Sequence, residues 1–515
     1  MNRIYKVIWS KVRHCYVVVS ELAKKDGKSV STRARVSKKM AASLAVMALC
    51  AGVTTGAMAA DTATGTGSGV AYGTGSEATK ATNTAVGSGA KATGLLDAVA
   101  VGNKANASGM SGTAIGSSAE VTGSSGTALG TKAQAAGSAV AVGVSAQATV
   151  VSSIAVGNLA QATGNTSMAI GKEAAASNSN SIAIGSKANA SNSNSIAIGL
   201  STIASGGSGV AVGNRTEATG GSSSAFGYES KATNSEATAI GYKSTTASRE
   251  SLSMGRGSVI GSNADRALAM GYKAYIGDEA TPSTVVHDNG VAVSGTTKDT
   301  AQNYTRLKDT IAIGSEAKAY GYQNIALGAG ANAFNNQTVA IGRSAEARGE
   351  YSSVLGYKAA ADGRAATALG FGARAYGRGA VAIGQEAITN TLDDSAEVEY
   401  SVAIGNSARA ASNYSVALGS LSLAIIEDDV ATKAYLTDEK FSKNNGVVSV
   451  GNKAYTLGTH EFEANRRRIT NVAGGADDYD AVNVAQLKKV YDKATDNTTK
   501  ISQLSGGWML GVTTA

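Results

Sequence analysis

One proline, two cysteines and three histidines occur in 515 residues, and aromatic side chains make up only 5 % of the chain. The scarcity of Pro excludes a collagen-like helix despite 63 glycines, because that fold needs Gly at every third position with abundant Pro. Few Cys and His leave little material for metal centres or thiol chemistry. Charged residues are 16 % against the ~25 % of ordinary soluble domains, while apolar residues reach 43 %, so charge-rich disorder is excluded as well. A formal charge of +8 would point to nucleic acid or an anionic surface, depending on where the charges sit.

Most of that charge sits in a targeting segment. Ser43 to Ala60 is an uncharged run of small and apolar residues preceded by basic residues from Arg33 to Lys39. It closes on Ala57-Met58-Ala59, a small-x-small pattern that places signal cleavage between Ala59 and Ala60. The run barely reaches the ~20 strongly apolar residues of a membrane anchor, and Ala, Gly and Thr dilute it. Upstream, Met1-Asn2-Arg3-Ile4-Tyr5-Lys6, Ile8-Trp9 and Val17 to Glu21 resemble the extended signal peptide region of very large Gram-negative autotransporters. Residues 1–59 carry eleven of the 46 basic and two of the 38 acidic residues, so the chain from Ala60 onward keeps 35 and 36, a net −1. Cys15 and Cys50 leave with the segment, and disulfides cannot hold the remainder together.

The rest is dominated by self-similarity. A motif ending in apolar-Ala-apolar-Gly recurs 23 times between Gly73 and Gly419, and 17 of the 22 intervals are 14 residues. The cleanest unit runs Ser181-Ile-Ala-Ile-Gly185-Ser-Lys-Ala-Asn-Ala-Ser-Asn-Ser-Asn194. Ile182 and Ile184 alternate with Ala183, and Lys187 to Ala190 alternate again, so each unit holds two short strands joined by Gly and Asn turns. Fourteen residues at ~3.3 Å describe one flattened turn, and turns stacking about 4.8 Å apart make a parallel β-solenoid some 110 Å long. Ala fits the narrow interior. The larger Ile, Val and Leu side chains then form an apolar stripe that another copy must cover.

The repeat resembles the head of the trimeric autotransporter adhesins, the YadA-like family. Over residues 71–420 that resemblance implies an all-β left-handed parallel β-roll (solenoid) of 14-residue repeats, three chains per molecule. The segment 60–70 reads as a linker. Two departures from the period, near 274–310 and near 389–401, read as surface excursions. After a connector over 421–467, Arg468-Ile469-Thr470-Asn471-Val472 and Asp480-Ala-Val482-Asn483-Val484-Ala-Gln-Leu487 resemble the family's neck, placed at 468–487. Arg466, Arg467 and Arg468 could form salt bridges across the neck with Asp477, Asp478 and Asp480. Leu487, Ala494 and Ile501 at heptad position a, with Val490, Asn497 and Leu504 at d, begin a short α-helical coiled-coil stalk over 487–505. In this family an Asn at d resembles those that cage an anion on the threefold axis. A frayed polar position is the competing account of Asn497. Residues 506–515 resemble the opening of a further stalk domain, truncated. Eleven residues after Leu504 cannot supply the family's membrane-anchor strands of ~10 residues each, so the chain is expected to be a fragment or an unanchored, secreted form.

No catalytic residue is expected. His287 and His460 stand apart with no partner at ligand or triad spacing, no phosphate-loop pattern occurs, and no metal, nucleic acid or cofactor is expected beyond an anion in the coiled-coil core. Recognition is the better reading. Tyr72 is the single Tyr between Ala60 and Gly227, whereas twelve lie between Tyr228 and Gly419. With their neighbouring arginines they nominate Tyr322, Arg343, Arg348, Tyr357, Arg364, Arg374, Tyr376 and Arg378 as ligand contacts. Packing along outer strand faces would account for the same Tyr. The expected function is a non-enzymatic surface adhesin: a homotrimer that attaches to host extracellular matrix, host cells or other bacteria and meets the outer membrane only through an anchor absent from this chain. A structural surface or phage fibre without a dedicated ligand is the alternative, and the signal region favours the adhesin.

Overall fold

The computed structural model describes residues 5–10, 15–20, 66–277, 285–286, 292–293, 307–393, 396–426, 442, 445–457 and 459–511. Two compact units divide at Thr62. In the first, Tyr5–Ser10 pairs antiparallel with Cys15–Ser20, Tyr5 opposite Ser20 and Ser10 opposite Cys15. A hairpin in a targeting segment was not expected from its composition. The cleavage position at Ala59 and Ala60 lies outside the described residues.

The second unit is a parallel β-solenoid. Among the described residues, 23 three-residue strands form one ladder and 23 two-residue strands form a second. With Ser181 as position 1, the long strand occupies positions 2–4, the motif glycine is position 5, and the short strand is positions 9–10. Register is conserved from rung to rung: Ile182 pairs with Ile196, Ala183 with Ala197 and Ile184 with Ile198. Each side chain therefore meets its own counterpart one turn away.

The interior follows from that register. Ser181, Ala183, Ala188 and Ala190 are fully buried, which marks positions 1, 3, 8 and 10 as the core. Ile182 and Ile184, on the other face of the long strand, stay half-buried, and Ile198, Leu129 and Leu355 at position 4 are exposed. The expected division between an Ala interior and an outer apolar stripe is what the chain adopts.

Two left-handed residues turn each coil. Lys187 (φ 57°) at position 7 and Asn194 (φ 56°) at position 14 divide it into two heptapeptide halves. The two corners differ in rigidity. At the first, Gly185 has φ 132°, and a Cβ there would lie 2.3 Å from the Gly199 carbonyl oxygen, so only glycine lets the rungs close. The Lys187 amide donates to Lys172 O (2.8 Å) and the Ala188 amide to Gly185 O (3.2 Å). The second corner, positions 11–14, absorbs every change of length. In all five intervals that differ from 14 residues, the short strand still begins four residues after the glycine, at Lys91, Gln134, Val259, Tyr275 and Ile388.

Both excursions leave and rejoin there. After Ile276 the chain departs, and Ile311 pairs directly with Leu268 on its return. Arg266 closes the gap with two bonds to Asp309 (Nε–Oδ1 2.7 Å, Nη2–Oδ2 3.1 Å), and this holds the Asp309 carboxyl below its usual range. Within the excursion Val285 pairs with Val293 and Val286 with Ala292; Pro282, His287 and Tyr304 lie outside the described residues. In the second excursion Asn390 bridges Glu397, and buried Arg409 donates to the carbonyls of Thr391 (2.7 Å) and Leu392 (3.1 Å).

The alanine core is interrupted once. One apolar cluster spans Ala78 to Ala239 and another Ile260 to Ala424. Between them four fully buried hydroxyls interlock: Ser244 with Ser253 (2.6 Å) and Ser258 (2.9 Å), and Thr246 with Ser253 (2.7 Å).

Candidate functional site

No group of three or more His, Cys, Asp or Glu among the described residues could hold a metal. The most regular arrangement of surface side chains lies at the first corner, where position 6 repeats the same residue types on consecutive turns. Tyr228 stacks on Tyr242 (centroids 5.2 Å, 9° between planes). Arg256 follows, its guanidinium 5.3 Å from the Tyr242 ring and 6.0 Å from Tyr272. Lys243 and Lys273 at position 7 approach the same rings at 5.4 and 5.2 Å. Glu229 accepts from Tyr228, and with Arg215 and Lys243 beside it its carboxyl is held below the ordinary value. Lys243 is correspondingly raised, first by Tyr242 and then by Glu229. Composition had indicated tyrosines of the second half of the head. The particular cluster Tyr228, Tyr242, Arg256 and Tyr272 was missed, although 14-residue spacing after the motif glycine was the available signal.

Farther along the same corner Arg343 lies 5.7 Å from the Tyr357 ring, which packs at 5.4 Å on Phe371, with Lys358 at 5.5 Å. Two of the nominated contacts, Arg343 and Tyr357, thus share one edge. The others do not. Arg364 and Arg378 occupy the second corner, over the rings of Tyr351 (5.3 Å) and Tyr400 (5.7 Å), and Tyr400 stacks on Tyr414. Tyr322 lies at that corner too, and its backbone amide donates to Asn336 Oδ1 (3.0 Å). Arg374 is in a short strand, paired with Ile388.

Two nominations are corrected. Tyr376 is 3 % exposed, so it fills the interior of its corner and offers no contact area on this chain. Arg348 is committed to packing: it pairs with Asp362 (2.8 Å) and Glu346 and lies over Phe334. Phe334 in turn stacks on Tyr320 at 5.5 Å. These groups join consecutive rungs and brace the roll from outside.

At its C-terminal end the roll gains one more rung, Val448 pairing with Val416. A hairpin of Tyr455–Leu457 and His460–Phe462 follows, with Tyr455 stacked on Phe462 at 4.6 Å. Arg467 then fastens the neck to the last turns, donating to Val450 O (2.6 Å), Ser422 Oγ (2.9 Å) and Ser420 O. The expected salt bridges across the neck are replaced by a different economy of bonds. The Asp480 carboxylate accepts from the amides of Ala476 (2.8 Å) and Asp477 (3.2 Å), which lowers its pKa, while Arg467 spends its donors on the head.

Asn471 adopts φ 61° in the neck, and Asn483 donates to Val472 O (3.1 Å). Asn483 also caps the helix Val484–Gly511: its Oδ1 accepts from the Gln486 amide (3.0 Å), and Gln486 Oε1 accepts from the Asn483 amide (3.2 Å). Helix runs through Gly506 and Gly507 to Gly511, where a new stalk domain had been expected from 506. On this chain Ile469 is 71 % exposed and Leu487 61 % exposed, and Val482, Val484, Val490, Ile501 and Leu504 are exposed likewise, as are Thr470, Asn497 and Arg468. No helix among the described residues is long and apolar enough to cross a membrane.

An exported chain carrying a parallel β-solenoid of 14-residue turns and a capped helix defines a surface-fibre class of protein. Family models place it within that class. The extended signal peptide of the type V secretion system matches residues 1–50, and the YadA head domain repeat matches twelve segments between 96 and 422. The coiled stalk of trimeric autotransporter adhesins matches 468–507. The chain belongs to the YadA-like trimeric autotransporter adhesins, a family of adhesive rather than enzymatic proteins exported to the cell surface. Among solved structures, the collagen-binding domain of the Yersinia adhesin YadA shows 18 % identity over 64 % of this chain and 86 % of that one, with a TM-score of 0.11. Among curated proteins nothing matches.

Proposed function

We propose that this chain assembles as a homotrimer and attaches the bacterial surface to host extracellular matrix, host cells or other bacteria, without catalysing a reaction. The observation that carries the assembly is the run of exposed apolar side chains from Ile469 through Leu504. Burying a Leu or Ile is worth roughly 1.5–3 kcal/mol, and nothing among the described residues covers these. The heptad placement of Leu487, Val490, Ala494, Ile501 and Leu504 fits a helical bundle of identical chains, with the neck residues 468–487 joining the wider head to it. Asn497, at a d position, is assigned to that bundle's axis, where three copies of its amide could hold an anion.

Recognition is assigned to the second half of the head, where Tyr and Arg collect at the corners. Sedimentation of the chain from Ala60 tests assembly: a trimer is expected, and a monomer for Leu487→Asp combined with Ile501→Asp. A wild-type monomer overturns the assembly. For attachment, deletion of 228–419 is expected to abolish binding to cells or matrix and deletion of 73–227 to leave most of it. The reverse outcome sinks the assignment to the second half, and no attachment by the intact protein would leave a structural fibre.

A further inference from the structure

We propose that the first corner of the roll is a docking edge for a linear sulfated polysaccharide, which lies along the solenoid and bridges successive turns. The inference deepens the adhesion reading by naming a ligand class for it. Charge is the first support. From Ala60 onward the chain is nearly neutral, yet positions 6 and 7 of the turns hold ten Lys and Arg, from Lys104 to Lys358, against four acids, Glu173, Glu229, Glu316 and Glu386. All ten basic residues are exposed. The acidic residues collect elsewhere, many at the second corner, including Asp265, Asp309, Glu350, Asp362, Glu397 and Glu399.

Continuity is the second support. Every length change falls at the second corner, and both excursions leave and rejoin the roll there, so no length change interrupts the basic edge among the described residues. With rungs about 4.8 Å apart, the ten cations fall in short groups along it, the densest at Lys243, Arg256 and Lys273 on three consecutive turns, which suits a polymer carrying many anions. Each contact is weak in water, and a long chain gathers many of them at high effective concentration.

The third support lies between Tyr228 and Lys273, where the edge is densest. Arg256 is held between the Tyr242 and Tyr272 rings, and Lys243 and Lys273 rest beside them. Side chains fixed in this way lose less entropy on binding than free ones. The same packing argues against nucleic acid. Tyr228 and Tyr242 stack on each other, and Arg256 and the lysines lie over Tyr242 and Tyr272, so few ring faces are open for unpaired bases to stack on.

The test uses the chain from Ala60 onward on immobilised heparin across a salt series. Retention that falls steeply with salt is expected, with no retention on fully desulfated heparin. The triple variant Lys243→Gln, Arg256→Gln, Lys273→Gln should bind about tenfold more weakly, the scale expected for three exposed charge contacts. Neutralising Lys80, Lys91 and Lys318, which lie off the edge, should change little, and matching melting curves establish that all forms are folded. Equal binding by the edge variant overturns the proposal, as does equal affinity for double-stranded DNA. Attachment to cells treated with heparinase separates the two readings. Attachment that survives the enzyme unchanged removes the polysaccharide and leaves adhesion intact. Heparin retention by a protein that attaches to no cell or matrix would remove adhesion and leave the edge.

Discussion

The roll before Ala239 and the roll after Ile260 share one backbone and differ almost wholly on the outside. Both bury alanine at the same positions, and both turn on a glycine at φ near 130°. Before Gly227 the corners carry mostly Ser, Thr, Asn, Gly and Lys, with exposed aliphatic residues such as Leu96, Val144 and Leu200 and no aromatic ring. After it they carry stacked Tyr, Phe and Arg. Rung-to-rung hydrogen bonding runs through the backbone of the strands and of both corners, and leaves the outward side chains of the corners open to variation. The hydroxyl cluster of Ser244, Thr246, Ser253 and Ser258 lies where one part gives way to the other.

If the backbones are equivalent, the largest effect should be the same in both parts. Gly185→Val and Gly342→Val place a Cβ 2.3 and 2.4 Å from the next turn's carbonyl oxygen at a positive φ. Each should cost about 3 kcal/mol or more, read as lost protease resistance and a lower melting temperature. A large effect in one part only breaks the equivalence. The boundary is probed by Ser253→Ala, which takes one partner each from Ser244 and Thr246 while Ser244 keeps Ser258 and Thr246 keeps Thr238 O, and should cost about 1 kcal/mol. Replacing all four hydroxyl residues with Ala should recover part of that loss, since the hydroxyls of the cluster then leave together. A quadruple variant worse than the single one would mark the cluster as indispensable to the junction.

A smaller change sharpens the corners. Lys187 and Ser344, both at position 7, hold left-handed backbone at φ 57° and 55°. Lys187→Gly and Ser344→Gly should each raise stability by about 0.5 kcal/mol, the relief of strain exceeding the added chain entropy. Opposite signs in chemical denaturation would show that the corners of the two parts are not alike. The smallest effect belongs to the neck, which has no rungs to share load. Because Asp480 has its pKa lowered by the Ala476 and Asp477 amides, its contribution is complete above the usual carboxylate range and fades as pH falls through the depressed value. Asp480→Asn should flatten the acid limb of a neck-specific amide-exchange profile; an unchanged limb discounts the capped turn.

Much of this was legible because period alone assigns faces. The Ala interior, the glycine ladder, the outer stripe and the excursions could all be read from spacing. Period does not say which neighbour a long side chain will choose. Tyr376 turns inward at a corner where Tyr400 and Tyr414 stay exposed, and Arg348 finds Asp362 one turn away. Arg467 likewise prefers head carbonyls to the nearby aspartates, since three backbone and hydroxyl acceptors are already fixed around it. The interlocked hydroxyls escaped notice because Ser and Thr in a turn-rich repeat look like turn residues.

The unequal corners also set what the gene can do. With positions 5–10 locked to the turns above and below, a loss or gain of 14 codons removes or adds a rung and leaves every remaining pairing intact. A gain or loss of seven codons within positions 1–10 would set long strands beside short ones. Other lengths survive only in the second corner, where five such events are already recorded. Reach can therefore be lengthened by copying, and new surface loops can be acquired, along one edge without disturbing the other.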